Sequence, residues 1–267
     1  MFTAGFIGCG NMGGALAAAA SKAIGGKNIF LSDFIEEKAE ALSEELFANK
    51  SDNKTIAENC KYIFLGVKPQ VIFDTIKKIS PILKRRKDRY ILVSMAAGIS
   101  IEAVEKALGF NAPVIRIMPN TPVAAGKGVI LYSCDGEITI SECEEFEKIF
   151  EKAGIVDKIS EHLIDAGSAL SGCGPAFVYL FIDALADGGV LCGLPREKAL
   201  SYAAETVKGA AQMVIDSGKH PGELKDNVCS PGGTTREGVK ALEMGGFRAN
   251  TINAVSKAYE KTLRLKK

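Results

Sequence analysis

Residues 8–13 read Gly8-Cys9-Gly10-Asn11-Met12-Gly13, directly after the apolar run Ala4 to Ile7 and at the start of an alanine-rich helical pattern, Met12 to Ala23. A GxGxxG spacing alone recurs by chance in glycine-rich turns. Between a strand and a helix it does more: glycines allow the tight turn, and the backbone N–H groups of the helix start face whatever approaches. A second strand, Asn28 to Ser32, ends beside Asp33, about 20 residues beyond Gly13. Strand, glycine turn, helix, strand and acid in that order form the dinucleotide fingerprint, with a pyrophosphate on the helix N-terminus and the acid on the adenosine ribose.

The pattern continues through residues 1–160. Strands are expected at Phe2 to Ile7, Asn28 to Ser32, Tyr62 to Val67, Tyr90 to Ser94, Val114 to Met118, Val129 to Tyr132 and Ile155 to Ile159, with helices between most of them, including Glu36 to Phe47, Val71 to Ile79 and Ile101 to Leu108. Ser141-Glu142-Cys143-Glu144 has capping-box spacing, and Gly154 is the expected stop of the helix it starts. Such alternation implies a parallel sheet with helices on both faces, an α/β Rossmann-type dinucleotide-binding domain. Residues 161–267 lose the strand signal and read as consecutive helices, an all-α domain. Pro175 to Leu191 is apolar enough to invite a membrane-spanning reading, but Asp183 and Asp187 lie four apart on one face, so a buried helix is expected. Pro195 is placed in the first turn of the next helix and Gly218 at its end; two more follow, Thr235 to Met244 and Ala249 to Leu265. Their broad apolar faces call for a second copy of the chain, a homodimer.

Charge excludes some classes of partner. The chain of 267 residues carries 33 basic and 32 acidic side chains, a formal net charge of +1, and so has no basic footprint for nucleic acid. Its one dense positive run, Lys84-Arg85-Arg86-Lys87, is expected to be a solvated turn. A first strand at residue 2 leaves no room for a secretory leader, and a cytoplasmic location without membrane attachment is expected. Seven scattered cysteines without a CxxC pair, and only His162 and His220 beside them, indicate neither a disulfide framework nor a metal site.

Two further groups of residues point to chemistry. Val67-Lys68-Pro69, Ala96-Ala97-Gly98 and Met118-Pro119-Asn120-Thr121-Pro122 follow the third, fourth and fifth strands; together on one sheet edge they extend the groove that starts at the glycine turn. Far away, Cys229-Ser230-Pro231-Gly232-Gly233-Thr234-Thr235 precedes a helical pattern. There two glycines and a threonine at the N-cap put unpaired N–H donors and a hydroxyl at the positive end of a helix dipole, a place that holds an anion.

These segments carry a resemblance. GFIGCGNMGGAL, VKP, MAAG, RIMPNTP, SGCGPAF, DGGV and HPGELKDNVCSPGGTTREGV resemble pyrroline-5-carboxylate reductases nearly end to end. That resemblance implies reduction of 1-pyrroline-5-carboxylate, a cyclic imine carboxylate, to L-proline with NADPH or NADH. It also implies a dimer with active sites at the subunit interface, some members forming rings of dimers. By the same resemblance the cofactor would contact Ile7, Gly8, Cys9, Gly10, Asn11, Met12, Gly13, Ser32, Asp33 and Asn53 at its adenosine and pyrophosphate half. Val67, Lys68, Pro69, Ala96, Ala97 and Gly98 would line its nicotinamide half, with Asn120 and Asn227 as further polar candidates. The substrate carboxylate would rest on Ser230, Gly232, Gly233 and Thr234, and Thr235 would hydrogen-bond the ring nitrogen as the catalytic candidate. The family often has serine where this chain has Cys173. Asp33, with no arginine beside it, opposes a 2′-phosphate and favours NADH. A β-hydroxyacid dehydrogenase or another imine reductase would share a Rossmann half and a helical half, and the Ser230–Thr235 loop discriminates against them; the same intact anion loop argues against a dinucleotide sensor without turnover.

Overall fold

The computed structural model describes residues 3–265, so the expected strand start at Phe2 lies outside the described residues. The described residues form two compact units, those up to Cys173 together with those from Ala258 onward, and Gly174–Lys257.

The first unit is built on an eight-stranded sheet: β1 (Ala4–Ile7), β2 (Ile29–Ser32), β3 (Asn49–Lys50), β4 (Tyr62–Leu65), β5 (Ile91–Ser94), β6 (Val114–Pro119), β7 (Gly128–Cys134) and β8 (Gly154–Lys158). Their order is β3-β2-β1-β4-β5-β6-β7-β8. All four residues of β1, β4 and β5 are buried, as expected where helices cover both faces. Successive side chains go to opposite faces. Tyr62 and Phe64 join a core with Leu16, Ala17 and Ala20 of α1 (Asn11–Ile24) and Phe146 and Ile149 of α6 (Ile140–Ile149). Ile63 and Leu65 join another with Ile56 of α3 (Asn53–Asn59), Ile76 of α4 (Ile72–Leu83) and Val104 of α5 (Ile101–Leu108). Phe6 stacks on Phe64 with ring centroids 4.4 Å apart, and Phe150 meets Phe64 edge-on at 5.5 Å. Each such buried ring contributes roughly 1.5–3 kcal/mol.

Four local expectations are corrected. The sheet is not wholly parallel: β7 runs antiparallel to β6. The 120–127 connection, a short 3₁₀ turn at Thr121–Ala125, is too short for the crossover a parallel pair requires. The capping box of α6 is Thr139 with Glu142, not Ser141 with Glu144, and the helix ends at Ile149, so Gly154 opens β8 instead of stopping α6. α2 is Glu36–Leu46, and Phe47 caps it with a left-handed backbone (φ 52°). Arg86 is not solvated: its side chain is 6% exposed and donates to the carbonyls of Ala57 and Cys60 at 2.9 and 2.8 Å. It thereby satisfies acceptors left open at the C-terminus of α3. It also pairs with Asp88 and lies over the Tyr90 ring.

The first unit extends to Cys173. It includes α7 (Glu161–Gly167) and the single π-helical turn Ser168–Gly172, both held by side chains of β6 and its end.

The second unit comprises α8 (Gly174–Leu191), α9 (Arg196–Ser217), α10 (Pro221–Val228), α11 (Thr234–Met244) and α12 (Phe247–Leu265), the last from Ala258 onward grouping with the first unit. α8 and α9 pack through small residues, Ala186, Ala199 and Ala203, and Asp187 pairs with Arg196 at 2.5 Å. Gly218 ends α9 with φ 62°, while Pro195 is its N-cap and not its first helical residue. The expectation that α8 is buried fails in the single chain. Ala186 is its one buried residue, because α9 covers only a narrow stripe of a helix that is apolar nearly all round.

Candidate active site

The glycine turn is built by backbones that approach closer than a side chain permits. Gly8 has φ +107°, and a Cβ there would lie 2.6 Å from the Gly66 carbonyl oxygen; a Cβ on Gly13 would collide with the carbonyl oxygen of Gly8. Gly10 differs. It is the N-cap of α1 without a side-chain cap, it is exposed, and nothing lies within 4 Å of a Cβ built on it. Open space thus stands over a helix start whose N–H donors are unspent, which fits a pyrophosphate.

Asp33, Ser32 and Asn53 gather at the same end. The Asp33 carboxylate accepts from Cys9 N–H at 2.7 Å through Oδ2 and from Ile35 N–H at 2.9 Å through Oδ1, which ties the end of β2 to the glycine turn. Ser32 Oγ donates to Asn53 Oδ1 at 2.7 Å, and Asn53 starts a helix capped by Asp52. Burial first, then the charge of Asp33, push the Cys9 thiol up to about 12, so it is a neutral S–H beside the turn.

The ends of β4, β5 and β6 lie on the same edge of the sheet, because these strands run parallel to β1. They bring Val67, Lys68 and Pro69, then Ala96, Ala97 and Gly98 (φ 76°), in line with the glycine turn. Asn120 stands there too, but its side chain is a clamp. It is 7% exposed, accepts from Val129 N–H at 2.8 Å and donates to the Ser171 carbonyl at 2.9 Å.

Sequence reasoning missed a charged cluster under this edge. Arg116, fully buried in β6, donates to Asp165 Oδ1 at 2.7 Å and to Glu161 Oε1 at 3.2 Å; the same Glu161 oxygen accepts from Ile101 N–H at 2.8 Å. The segment after β5 is thereby anchored to α7. The signal was present: an arginine between isoleucines in a core strand needs carboxylates, and Glu161 and Asp165 lie four apart on one helix face.

In the second unit Gly232 takes φ +69°, and Gly233 N–H donates to the Ser230 carbonyl at 3.0 Å. Gly233, not a threonine, is the N-cap of α11, and no side chain caps the helix. The Thr234 and Thr235 hydroxyls therefore serve no capping role. They are exposed, as are Ser230, Gly232 and, on α10, Asn227. Among the described residues all seven cysteines are free, and no three His, Cys, Asp or Glu side chains gather as a metal site would require.

Comparison with known proteins agrees along the whole chain. Residues 161–265 match the model described as pyrroline-5-carboxylate reductase dimerisation, and residues 3–98 the one described as NADP oxidoreductase coenzyme F420-dependent. The chain is 40% identical to a pyrroline-5-carboxylate reductase of Pisum sativum over 99% of its own length and 96% of the relative's. To that of Escherichia coli (strain K12) it is 38% identical, over 98% of each. The crystal structure of Plasmodium falciparum pyrroline carboxylate reductase with NADP bound is similar with a TM-score of 0.88 and 33% identity, over 100% of this chain and 98% of that one. With the Rossmann unit, the glycine turn and the Ser230–Thr235 loop in place, the chain belongs to the pyrroline-5-carboxylate reductase family.

Proposed function

We propose that the protein reduces 1-pyrroline-5-carboxylate to L-proline at the expense of NADH or NADPH. The observation that carries this reading is the full-length likeness to reductases of that name, which includes the Ser230–Thr235 loop as well as the glycine turn. The dinucleotide supplies the hydride. The protein's own contribution is alignment: a protonated cyclic imine is already electrophilic, so holding two rings in register accounts for much of the catalysis.

In this reading the Gly8–Gly13 turn binds the pyrophosphate, Asp33 the adenosine ribose, and Val67–Pro69 with Ala96–Gly98 flank the nicotinamide. Arg116 and Glu161 position the last of these segments through Ile101 N–H. The uncapped start of α11 holds the substrate carboxylate on backbone N–H groups of Gly232 and Thr234, while the Gly233 N–H, expected to join them, is held by the Ser230 carbonyl and shapes the loop. The Thr235 hydroxyl, unspent on the helix, hydrogen-bonds the ring nitrogen; as a neutral alcohol it orients the nitrogen and is not itself the source of the proton. The protein acts as a cytoplasmic homodimer, joined through the second unit.

Mixing the purified protein with 1-pyrroline-5-carboxylate and following NADH and NADPH absorbance in parallel tests the reading; oxidation of neither refutes it. Asp33 repels a 2′-phosphate, so kcat/KM is expected to be higher with NADH, and a wide margin for NADPH refutes that part. Thr235→Ala is expected to lower kcat/KM by roughly 5- to 150-fold, the loss when a buried partner goes unpaired. Wild-type kinetics would remove Thr235 from the site.

A further inference from the structure

Cys134 ends β7 and Cys143 lies near the start of α6, and their sulfurs are 3.9 Å apart, in van der Waals contact. Among the described residues no other two cysteine sulfurs meet. Lys158, the last residue of β8, donates from Nζ to Cys143 Sγ at 3.4 Å, and its ammonium lies against Cys134 as well. Beside them the Tyr132 hydroxyl, which also faces Cys143, donates to Glu147 Oε1 at 2.5 Å. This cluster is remote from the cofactor groove. β7 runs antiparallel to β6, and Ile115 near the start of β6 pairs with Cys134, so the two thiols stand at the sheet edge opposite the glycine turn.

Two thiols in contact can share a soft metal ion or lose two hydrogens and join. The Lys158 ammonium decides between these, since it repels a metal cation and stabilises a thiolate. We propose that Cys134 and Cys143 are an oxidation site, a dithiol that hydrogen peroxide closes to a disulfide locking the start of α6 to the end of β7. Cys134 is half-buried and meets the oxidant first; Cys143, 6% exposed, resolves it. The Cys134 thiolate attacks one peroxide oxygen: an S–O bond forms, the O–O bond breaks, and the departing hydroxide takes up the proton the thiol gave up. Cys143 sulfur then attacks the sulfenic sulfur. The S–S bond forms, the S–O bond breaks, and the hydroxyl leaves with the Cys143 proton. Two thiols thus lose two electrons and one peroxide becomes two waters. Burial pushes the Cys134 thiol up while Lys158 pulls it back, so the pair reacts as an ordinary thiol and not as an activated one.

The test treats the folded full chain with hydrogen peroxide, alkylates it with iodoacetamide in denaturant, and digests it with trypsin for mass spectrometry. No lysine or arginine lies between Lys127 and Lys148, so one peptide, residues 128–148, carries both cysteines. In wild type this peptide is expected to lose two hydrogens and escape alkylation, and dithiothreitol should restore two alkylated thiols. Cys143→Ser should show no such loss. Lys158→Met should close more slowly, on the order of threefold for each unit by which the ammonium had lowered the thiol pKa. The oxidised protein should also unfold a few degrees higher than the reduced one, because the disulfide restricts the 134–143 loop in the unfolded chain. A wild-type peptide that stays doubly alkylated overturns the proposal, as does one carrying sulfinic acid on Cys134 in place of the crosslink. Equal closure rates for wild type and Lys158→Met remove the lysine from the site, and a lower unfolding temperature after closure overturns the lock. All of these readouts are independent of turnover.

Discussion

In the first unit Phe6, Tyr62, Phe64, Phe146 and Phe150 are wholly buried, each on a face that a helix or a neighbouring strand closes. In the second unit the buried apolar residues are Ala186, Ala199 and Ala203, while Leu180, Leu191, Ile215 and Met244 are 72%, 89%, 71% and 79% exposed. Both units are rich in apolar residues; they differ in where the covering surface comes from. A doubly covered sheet supplies its own interior, whereas these helices close only a stripe of alanines against each other and leave their large side chains in water. Exposed apolar surface on this scale marks an interface. The match of residues 161–265 to a dimerisation model says what kind, and on the proposed reading the second unit finds its interior in a second copy.

That contrast is broken most severely by charging the second unit. Leu180→Asp puts two carboxylates into each symmetric dimer, one per copy, and is expected to weaken association on the order of a hundredfold or more. Sedimentation should show monomers at concentrations where wild type is dimeric, with turnover lost. Dinucleotide binding, which on the proposed reading draws on the first unit, should persist in those monomers. A Leu180→Asp protein that stays dimeric and active would show that α8 is covered in some other way.

Within the first unit the largest effect is expected at the charge it buries. Arg116 is 1% exposed and its best partner, Asp165, equally so. Asp165→Asn leaves the guanidinium with Glu161 alone, at 3.2 Å and partly exposed. Breaking a buried pair from one side costs about 3–5 kcal/mol, read in the denaturant midpoint. A double variant, Arg116→Met with Asp165→Leu, should recover most of that loss, since an apolar pair of similar volume carries no stranded charge. If Asp165→Asn unfolds like wild type, the charge has another counterion and the cluster does not anchor α7.

How much of this was legible in the sequence depends on the range over which each feature is decided. The glycine turn and the acid after β2 were readable because strand, turn and helix are neighbours in the chain, and helix α5 was read to the residue, Ser100 supplying its cap. The direction of β7 was not, since it is set by the length of the connection that precedes it. Thr139 and Ser141 both stand three residues before a glutamate. The choice between them was made by Arg89, far off in sequence, which holds Glu142 with bonds of 2.7 and 2.9 Å. Arg86 looked like one more charge in a basic run until the carbonyls ending α3 were placed beside it. At the site, composition revealed the Ser230–Thr235 loop, but the finding that Gly233 is the cap, which leaves both threonine hydroxyls unspent, required the backbone.

The smallest effect separates the two units by their ion pairs. In the second unit Lys208–Glu205 and Lys219–Glu223 join side chains about half exposed or more, and such pairs contribute little. In the first, the Glu142 side chain is 9% exposed; the Arg89 guanidinium, and then the Thr139 N–H and hydroxyl, hold its carboxyl down to about 2 against the cost of burial. A carboxylate whose pKa is lowered by folding stabilises the native state above its unfolded value, near 4.5, and that contribution is lost as pH falls from there toward 2. Glu142→Gln keeps a capping-box residue but removes the charge, so it isolates this term. The variant is expected to be less stable than wild type at pH 7 by no more than about 1 kcal/mol, and the gap should close between pH 4.5 and 2. Glu205→Gln should follow wild type within about 0.5 kcal/mol at every pH. Parallel stability curves for wild type and Glu142→Gln across that window would place the acid sensitivity elsewhere in the molecule and erase this part of the contrast.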